Sequence, residues 1–358
     1  MYIVLAILMF SLLIFVHELG HFVTAKLSGV QVNEFSMFMG PAIFKKQKGE
    51  TLYSIRCIPF GGYCAMEGED DNSDNPRSFG KAAWWKRLII LVAGAAMNFL
   101  CGFLIFYYLF GVSSQVEVLP EPVISSFHAG NHLEGQNGLR VGDEIHSIDG
   151  ERVYVSSNIS FLLSLNLSGE PGVHDIVVIR DGEKVLLDDF RMEPIEIQTE
   201  QGTQTLYGMN LTTAPRTFVS GLKYAWNNTI DTVRMVRMSL KMLISGQAGL
   251  KDVGGPVMIV QTISETAENS GSTDAAIRNV LFFSAFIAVN LAVMNLLPIP
   301  ALDGGRAVCV ILSTAVEAVT GKKLNPKYEA YLHGAGMLIL LGFMAVITFK
   351  DIFNIFRG

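Results

Sequence analysis

The sequence predicts a polytopic α-helical membrane protein with about four transmembrane helices, a β-hairpin in the loop after the first span and a β-rich extramembranous insert after the second. Four apolar runs are each long enough to cross a bilayer core of about 30 Å. They extend approximately from Tyr2 to Ala25, Leu88 to Phe110, Ala276 to Leu297 and Leu332 to Phe349. Half of the 358 residues are hydrophobic (50%) and only 17% are charged, against about 25% in soluble domains; the mean hydropathy is +0.37. Between the runs the patterning changes to alternating apolar and polar residues punctuated by glycine, the period of strands. These changes divide the chain into 1–112, 113–200, 201–275 and 276–358.

The first run lacks the basic leading segment and small-residue cleavage site of a secretory signal, so it reads as a retained span. After it, Phe35 to Tyr63 alternates enough, as in Thr51-Leu-Tyr-Ser-Ile-Arg-Cys-Ile58, to read as short strands with turns at Gly49 and Gly61-Gly62. A strand edge there would offer backbone groups to an extended peptide. Glu69 to Arg77 is an acidic, solvated loop. Trp84 and Trp85 beside Lys86 and Arg87 form an interfacial anchor for the second span. Within that span Asn98 is an intramembrane amide, suited to a site or to hydrogen bonding between helices.

From about Gln115 to Thr199 the chain is β-rich. Gly138-Leu-Arg-Val-Gly-Asp-Glu-Ile-His-Ser-Ile-Asp-Gly-Glu-Arg-Val153 is similar to the core of a PDZ domain, a strand followed by an Asp-Gly hairpin at Asp149-Gly150, and Ile176 to Val185 reads as a second hairpin turning at Asp181-Gly182. His128 and His132 nearby read as surface residues. Phe218 to Ile244 mixes apolar residues with Lys223, Arg234, Arg237 and Lys241 at helical spacing, an amphipathic helix on or beside a membrane. Val253-Gly-Gly-Pro-Val-Met-Ile259 reads either as a re-entrant segment or as a helix with Pro256 at its first position.

The chemistry lies at two places. His17-Glu-Leu-Gly-His21 ends the first apolar run. Residues four apart share a helix face, so both histidines can reach one metal ion, with Glu18 placed to take a proton from a water that the metal acidifies. A charge near a bilayer centre costs about 3 kcal/mol on insertion scales, so such residues point to function. The bland alternative is a pair of interfacial side chains at a helix end. A catalytic zinc site usually takes three protein ligands, and the third candidate is Asp303 in Asn295-Leu-Leu-Pro-Ile-Pro-Ala-Leu-Asp-Gly-Gly305. Pro298 and Pro300 break the helix there, and broken backbone in lipid needs shelter inside the protein. Asp303 could instead cap a helix beginning near Arg306.

Together these segments resemble the site-2 proteases, in particular the bacterial RseP-type branch with one PDZ domain, and the resemblance spans nearly the whole chain. It implies an intramembrane zinc metalloprotease with one Zn2+ per chain, held by His17, His21 and Asp303, with Glu18 as catalytic base. It suggests substrate-positioning or supporting roles for Asn295, Asn98, Gly61 and Gly62. The implied substrates are transmembrane segments of single-span proteins, such as anti-sigma factors after a first cleavage or remnant signal peptides. The PDZ-like domain would bind peptide or exclude bulky ectodomains.

Basic residues orient the chain. Lys45, Lys46, Lys48, Lys81, Lys86 and Arg87 lie between spans one and two, and Arg306, Lys322, Lys323 and Lys327 between spans three and four, so both loops should be cytoplasmic. The termini and the PDZ-like domain are then extracytoplasmic, and both motifs lie toward the cytoplasmic leaflet of a bacterial inner membrane. Net charge of −6 and a pI near 5.7 argue against nucleic acid. Cys57, Cys64, Cys101 and Cys309 form no C-x-x-C pair and read as isolated reduced thiols. A catalytically inactive membrane PDZ scaffold would share the topology but would have no need of Glu18. A transporter would more often show repeated sets of spans.

Overall fold

In the computed structural model the described residues are 2–69, 73–113, 116–128, 133–134, 138–165, 167, 170–192, 194–199, 202–249, 253–321 and 326–357. His132, Lys322, Lys323 and part of the acidic loop lie outside them. Two units are distinguished, one of residues 1–105 with 232–358 and one of residues 106–231.

In the first unit, α1 (Tyr2–Ser28), the start of α2 (Trp84–Tyr107), α6 (Thr273–Asn295) and α8 (Pro326–Arg357) correspond to the four apolar runs. Four helices are long and apolar enough to cross a membrane: Ile3–Ser28, Trp84–Val112, Thr273–Asn295 and Lys327–Phe353. The chain is an integral membrane protein. Large apolar side chains such as Leu8 and Leu12 on α1 and Leu338, Ile339 and Phe349 on α8 face outward. That is costly in water and neutral in lipid. The core between helices is built from small and branched residues, including Ala6, Leu13, Ile263, Ala276, Ile287 and Ala288.

The loop after α1 folds into β1 (Val32–Lys48) and β2 (Thr51–Met66), turning at Gly49. This corrects the expected short strands, and Gly61-Gly62 lies inside β2 rather than at a turn. Bulges curl the pair so that Glu34–Met37 is flanked by Leu52–Ile55 on one side and Gly62–Ala65 on the other. Ser11 on α1 donates to the carbonyl of Pro59 at 3.0 Å, docking the curled hairpin on the helix. At the turn, Arg77 and Lys26 both bond Glu50 and hold its carboxyl at about 2. The pair is largely exposed, so it fixes position more than it adds stability.

α5 (Pro256–Glu268) begins with Pro256 in its first turn, so the G-P-V segment is a helix start. Asp351 on α8 accepts from Gly255 N at 3.0 Å and Met258 N at 3.1 Å, satisfying donors that lipid cannot. α6 is capped by Ser272, which accepts from Ala275 N. It ends at Asn295, and after the Pro298–Pro300 break α7 (Asp303–Thr320) starts at Asp303 itself.

The second unit holds a sheet of order β10-β3-β4-β6-β7: β3 (Val118–Phe127), β4 (Glu144–Ile148), β6 (Val173–Arg180), β7 (Glu183–Arg191) and β10 (Met209–Pro215), with β5 (Glu151–Arg152) against β4. Both Asp-Gly turns form as the sequence predicts, with positive φ at Asp149 and Gly150 (49° and 78°) and at Asp181 and Gly182 (52° and 85°). Two positive values in succession characterise the hairpin turn that matches strand twist. α3 (Ile159–Ser164) buries Ile159, Leu162 and Leu163. Arg180 forks onto Asp143 at 2.8 and 2.7 Å. β8 (Ile195–Thr199) and β9 (Gly202–Leu206) form a separate ribbon. α4 spans Phe218–Ile244, the bounds its periodicity predicts, and passes from this unit into the first.

Candidate metal centre

α1 carries His17 and His21 one turn apart, and their Nε2 atoms lie 3.1 Å from each other. Asp303 brings its Oδ2 to 3.1 Å from His17 Nε2 and 3.3 Å from His21 Nε2. Zinc bonds of about 2.0–2.1 Å at tetrahedral angles separate neighbouring ligand atoms by about 3.3 Å. The three atoms therefore already trace one face of such a shell. His17 and His21 are 9% and 6% exposed, and Asp303 Oδ2 finds no hydrogen-bond donor among the described residues. A buried carboxylate oxygen without a donor is costly unless a cation satisfies it. The residues present fit a zinc ion.

α2 supplies two features that the sequence reading missed. His21 Nδ1 lies 2.8 Å from the carbonyl of Ile90, to which it donates. This fixes the tautomer, leaving the Nε2 lone pair for a metal, the support that ligating histidines usually receive. One turn on, Gly94 packs directly against the rings, and a Cβ there would sit 2.4 Å from His21 Nε2 and 2.7 Å from His17 Cε1. Only the small-residue run Gly94-Ala-Ala hinted at a close helix approach. Asn98, one further turn along, is 1% exposed. Neither of its amide atoms meets a hydrogen-bond partner among the described residues, so the helix-to-helix bond considered for it is not formed.

Glu18 is adjacent to the ligand atoms without being one of them. The backbone of Cys64 on β2 lies beside its carboxylate, and a Cβ on Gly62 would lie 3.4 Å from its Cγ. Gly62–Met66 pairs with Val32–Met37 on one side only, so a strand edge runs beside Glu18. Of Thr51–Ile58, in which the sequence placed that edge, Leu52–Ile55 is flanked by Glu34–Met37 and by Phe44–Gln47. Arg306 in the first turn of α7 pairs with Glu69 just beyond β2. Asn295 closes α6 half-buried, and among the described residues no hydrogen bond ties it to the histidines or Asp303. Gly61 lies in β2 against Met39.

Cys309 on α7 is not isolated: its sulfur and one ligand-type atom each of Glu329 and His333 on α8 lie within 4.8 Å of one another. An exposed trio of Asp175, Asp188 and Asp189 lies in the second unit.

The chain is similar in sequence to proteins of known family over nearly its whole length. The model of peptidase family M50 matches residues 5–343. A protein of Clostridium perfringens, named as a zinc metalloprotease, is 36% identical over 356 residues, 98% of each chain. One of Fusobacterium nucleatum with the same designation is 33% identical over 358 residues, 99% of each. The regulator of sigma-W protease RasP of Bacillus subtilis is 27% identical, with 98% of each chain covered. With nearly its whole length accounted for in this way, and with a histidine–histidine–carboxylate triangle of zinc dimensions at its centre, the chain belongs to peptidase family M50 and is a membrane zinc metalloprotease.

Proposed function

We propose that this protein cleaves peptide bonds within the transmembrane segments of single-span proteins, with His17, His21 and Asp303 holding zinc and Glu18 acting as the base. The observation that carries this reading is the triangle of 3.1, 3.1 and 3.3 Å edges between ligand atoms that belong to two apolar regions of the chain. When bound, zinc would acidify water and polarise the scissile carbonyl. Glu18 accepts the proton from the attacking water and delivers it to the leaving amine. Ile90 keeps the His21 ring oriented. Asn98, buried with its amide unspent, is a donor and acceptor for unwound substrate backbone.

A transmembrane helix hides its peptide bonds, so the substrate must extend before attack. The Gly62–Met66 edge beside Glu18 is suited to hold it by strand addition. Single prolines within Gly62–Met66, at the alternate positions whose N–H faces away from Val32–Met37, should lower kcat/KM by about tenfold with zinc retained. Proline on the matching strand of the substrate should cost a similar factor, and the two together no more than either alone. Fully additive losses would show that the edge does not receive the substrate.

The PDZ-like reading of the second unit makes it a peptide-binding or size-excluding module. The hairpin and the metal centre are assigned to the cytoplasmic side of a bacterial inner membrane, with the second unit outside. As the resemblance to site-2 proteases implies, anti-sigma factors after a first cleavage and remnant signal peptides are the substrate class. Purified protein should contain one zinc per chain and cut a single-span model substrate within its apolar segment. Asp303→Ala should lose both zinc and cleavage. Stoichiometric zinc in Asp303→Ala, or cleavage confined to soluble peptides, would refute the assignment.

A further inference from the structure

Asp303 reaches the histidines from a turn that leaves one of its backbone N–H groups without a backbone acceptor. Pro298 and Pro300 carry no N–H. Ile299 N donates to Leu297 O at 2.7 Å, and Leu302 N to Ile299 O at 3.1 Å. The remaining donor in this stretch, Ala301 N, has no backbone acceptor; it donates to Nδ1 of His333 on α8 at 3.0 Å. Ala301 also sits at φ 79°, the left-handed region that a side chain disfavours. About one turn along α8 from His333, Gly336 presses on the same turn. A Cβ there would be 2.5 Å from Pro300 Cβ and 2.8 Å from its carbonyl oxygen. α8 thus grips the two residues that set the direction of the chain just before Asp303.

We infer that His333 is a positioning residue of the zinc site: by accepting the Ala301 N–H it holds the left-handed turn that aims the Asp303 carboxylate at His17 and His21. The inference rests on Asp303 being a ligand. The bond also settles what the neighbouring cluster is. An Nδ1 that accepts leaves the imidazole proton on Nε2. His333 therefore cannot bind a metal through either nitrogen without releasing Ala301. With His333 engaged in this way, its group with Cys309 and Glu329 is not a second metal centre.

The test uses the full chain in lipid or detergent, with zinc affinity and the kcat and KM for a single-span model substrate as readouts. His333→Phe keeps the ring volume but removes the acceptor. It should weaken zinc binding about tenfold and lower kcat, with KM changed by less than about twofold. His333→Gln, whose amide oxygen can accept from Ala301, should regain most of both. In an Ala301→Gly background His333→Phe should cost about threefold or less, because glycine holds a positive φ unaided. Equal losses in Phe and Gln, unchanged zinc affinity in Phe, or a second zinc equivalent that Cys309→Ala removes would each overturn the inference. Retention of zinc by Asp303→Ala would instead overturn the ligand assignment beneath it, so the two failures are separable.

Discussion

Glu18→Gln should retain one zinc per chain and lose cleavage by about 10²–10⁴-fold, the usual contribution of a positioned general base. The substitution keeps the shape of the side chain, but an amide cannot take the proton of the attacking water. The proposed ligand atoms belong to His17, His21 and Asp303, so metal content should stay intact. Zinc analysis alongside initial rates on a single-span substrate separates this outcome from a damaged metal site. An unchanged rate would remove Glu18 from the mechanism. A wild type that fails to cleave any membrane substrate would favour the scaffold reading.

Gly94→Ala should abolish stoichiometric zinc binding. The added Cβ falls 2.4 Å from His21 Nε2, the atom that must face the metal. Helix α2 cannot simply back away, because the same helix holds the His21 ring through the carbonyl of Ile90 at 2.8 Å. The α1–α2 contact is tight from the other side as well, since a Cβ on Gly20 would lie 2.5 Å from the carbonyl oxygen of Ala93. Overpacking of this kind costs about 1–3 kcal/mol, and here the strain falls on ligand geometry. Zinc affinity should drop by at least about a hundredfold, while circular dichroism reports intact helices. Wild-type affinity in Gly94→Ala would mean that α1 and α2 do not approach as described.

What the sequence determined by itself was local. The spacing of His17 and His21 puts them on one helix face because 3.6 residues make a turn. The four spans follow from uninterrupted apolar length, the Asp-Gly turns at 149–150 and 181–182 from their tolerance of positive φ, and the bounds of α4 from its periodicity. What only tertiary structure decided was which distant groups meet. Ile90 lies 69 positions from the histidine it orients, and Gly94 matters only because α1 passes within contact of it. The one-sided edge beside Glu18 is Gly62–Met66, while Leu52–Ile55 within the expected Thr51–Ile58 is paired on both sides, because a strand's pattern records which face is buried and not which neighbour is missing. The grip of His333 on Ala301 left no mark in any period or motif. A hydrogen bond between a helix and a distant turn depends on their meeting in space, and nothing in the order of residues along either one encodes that meeting.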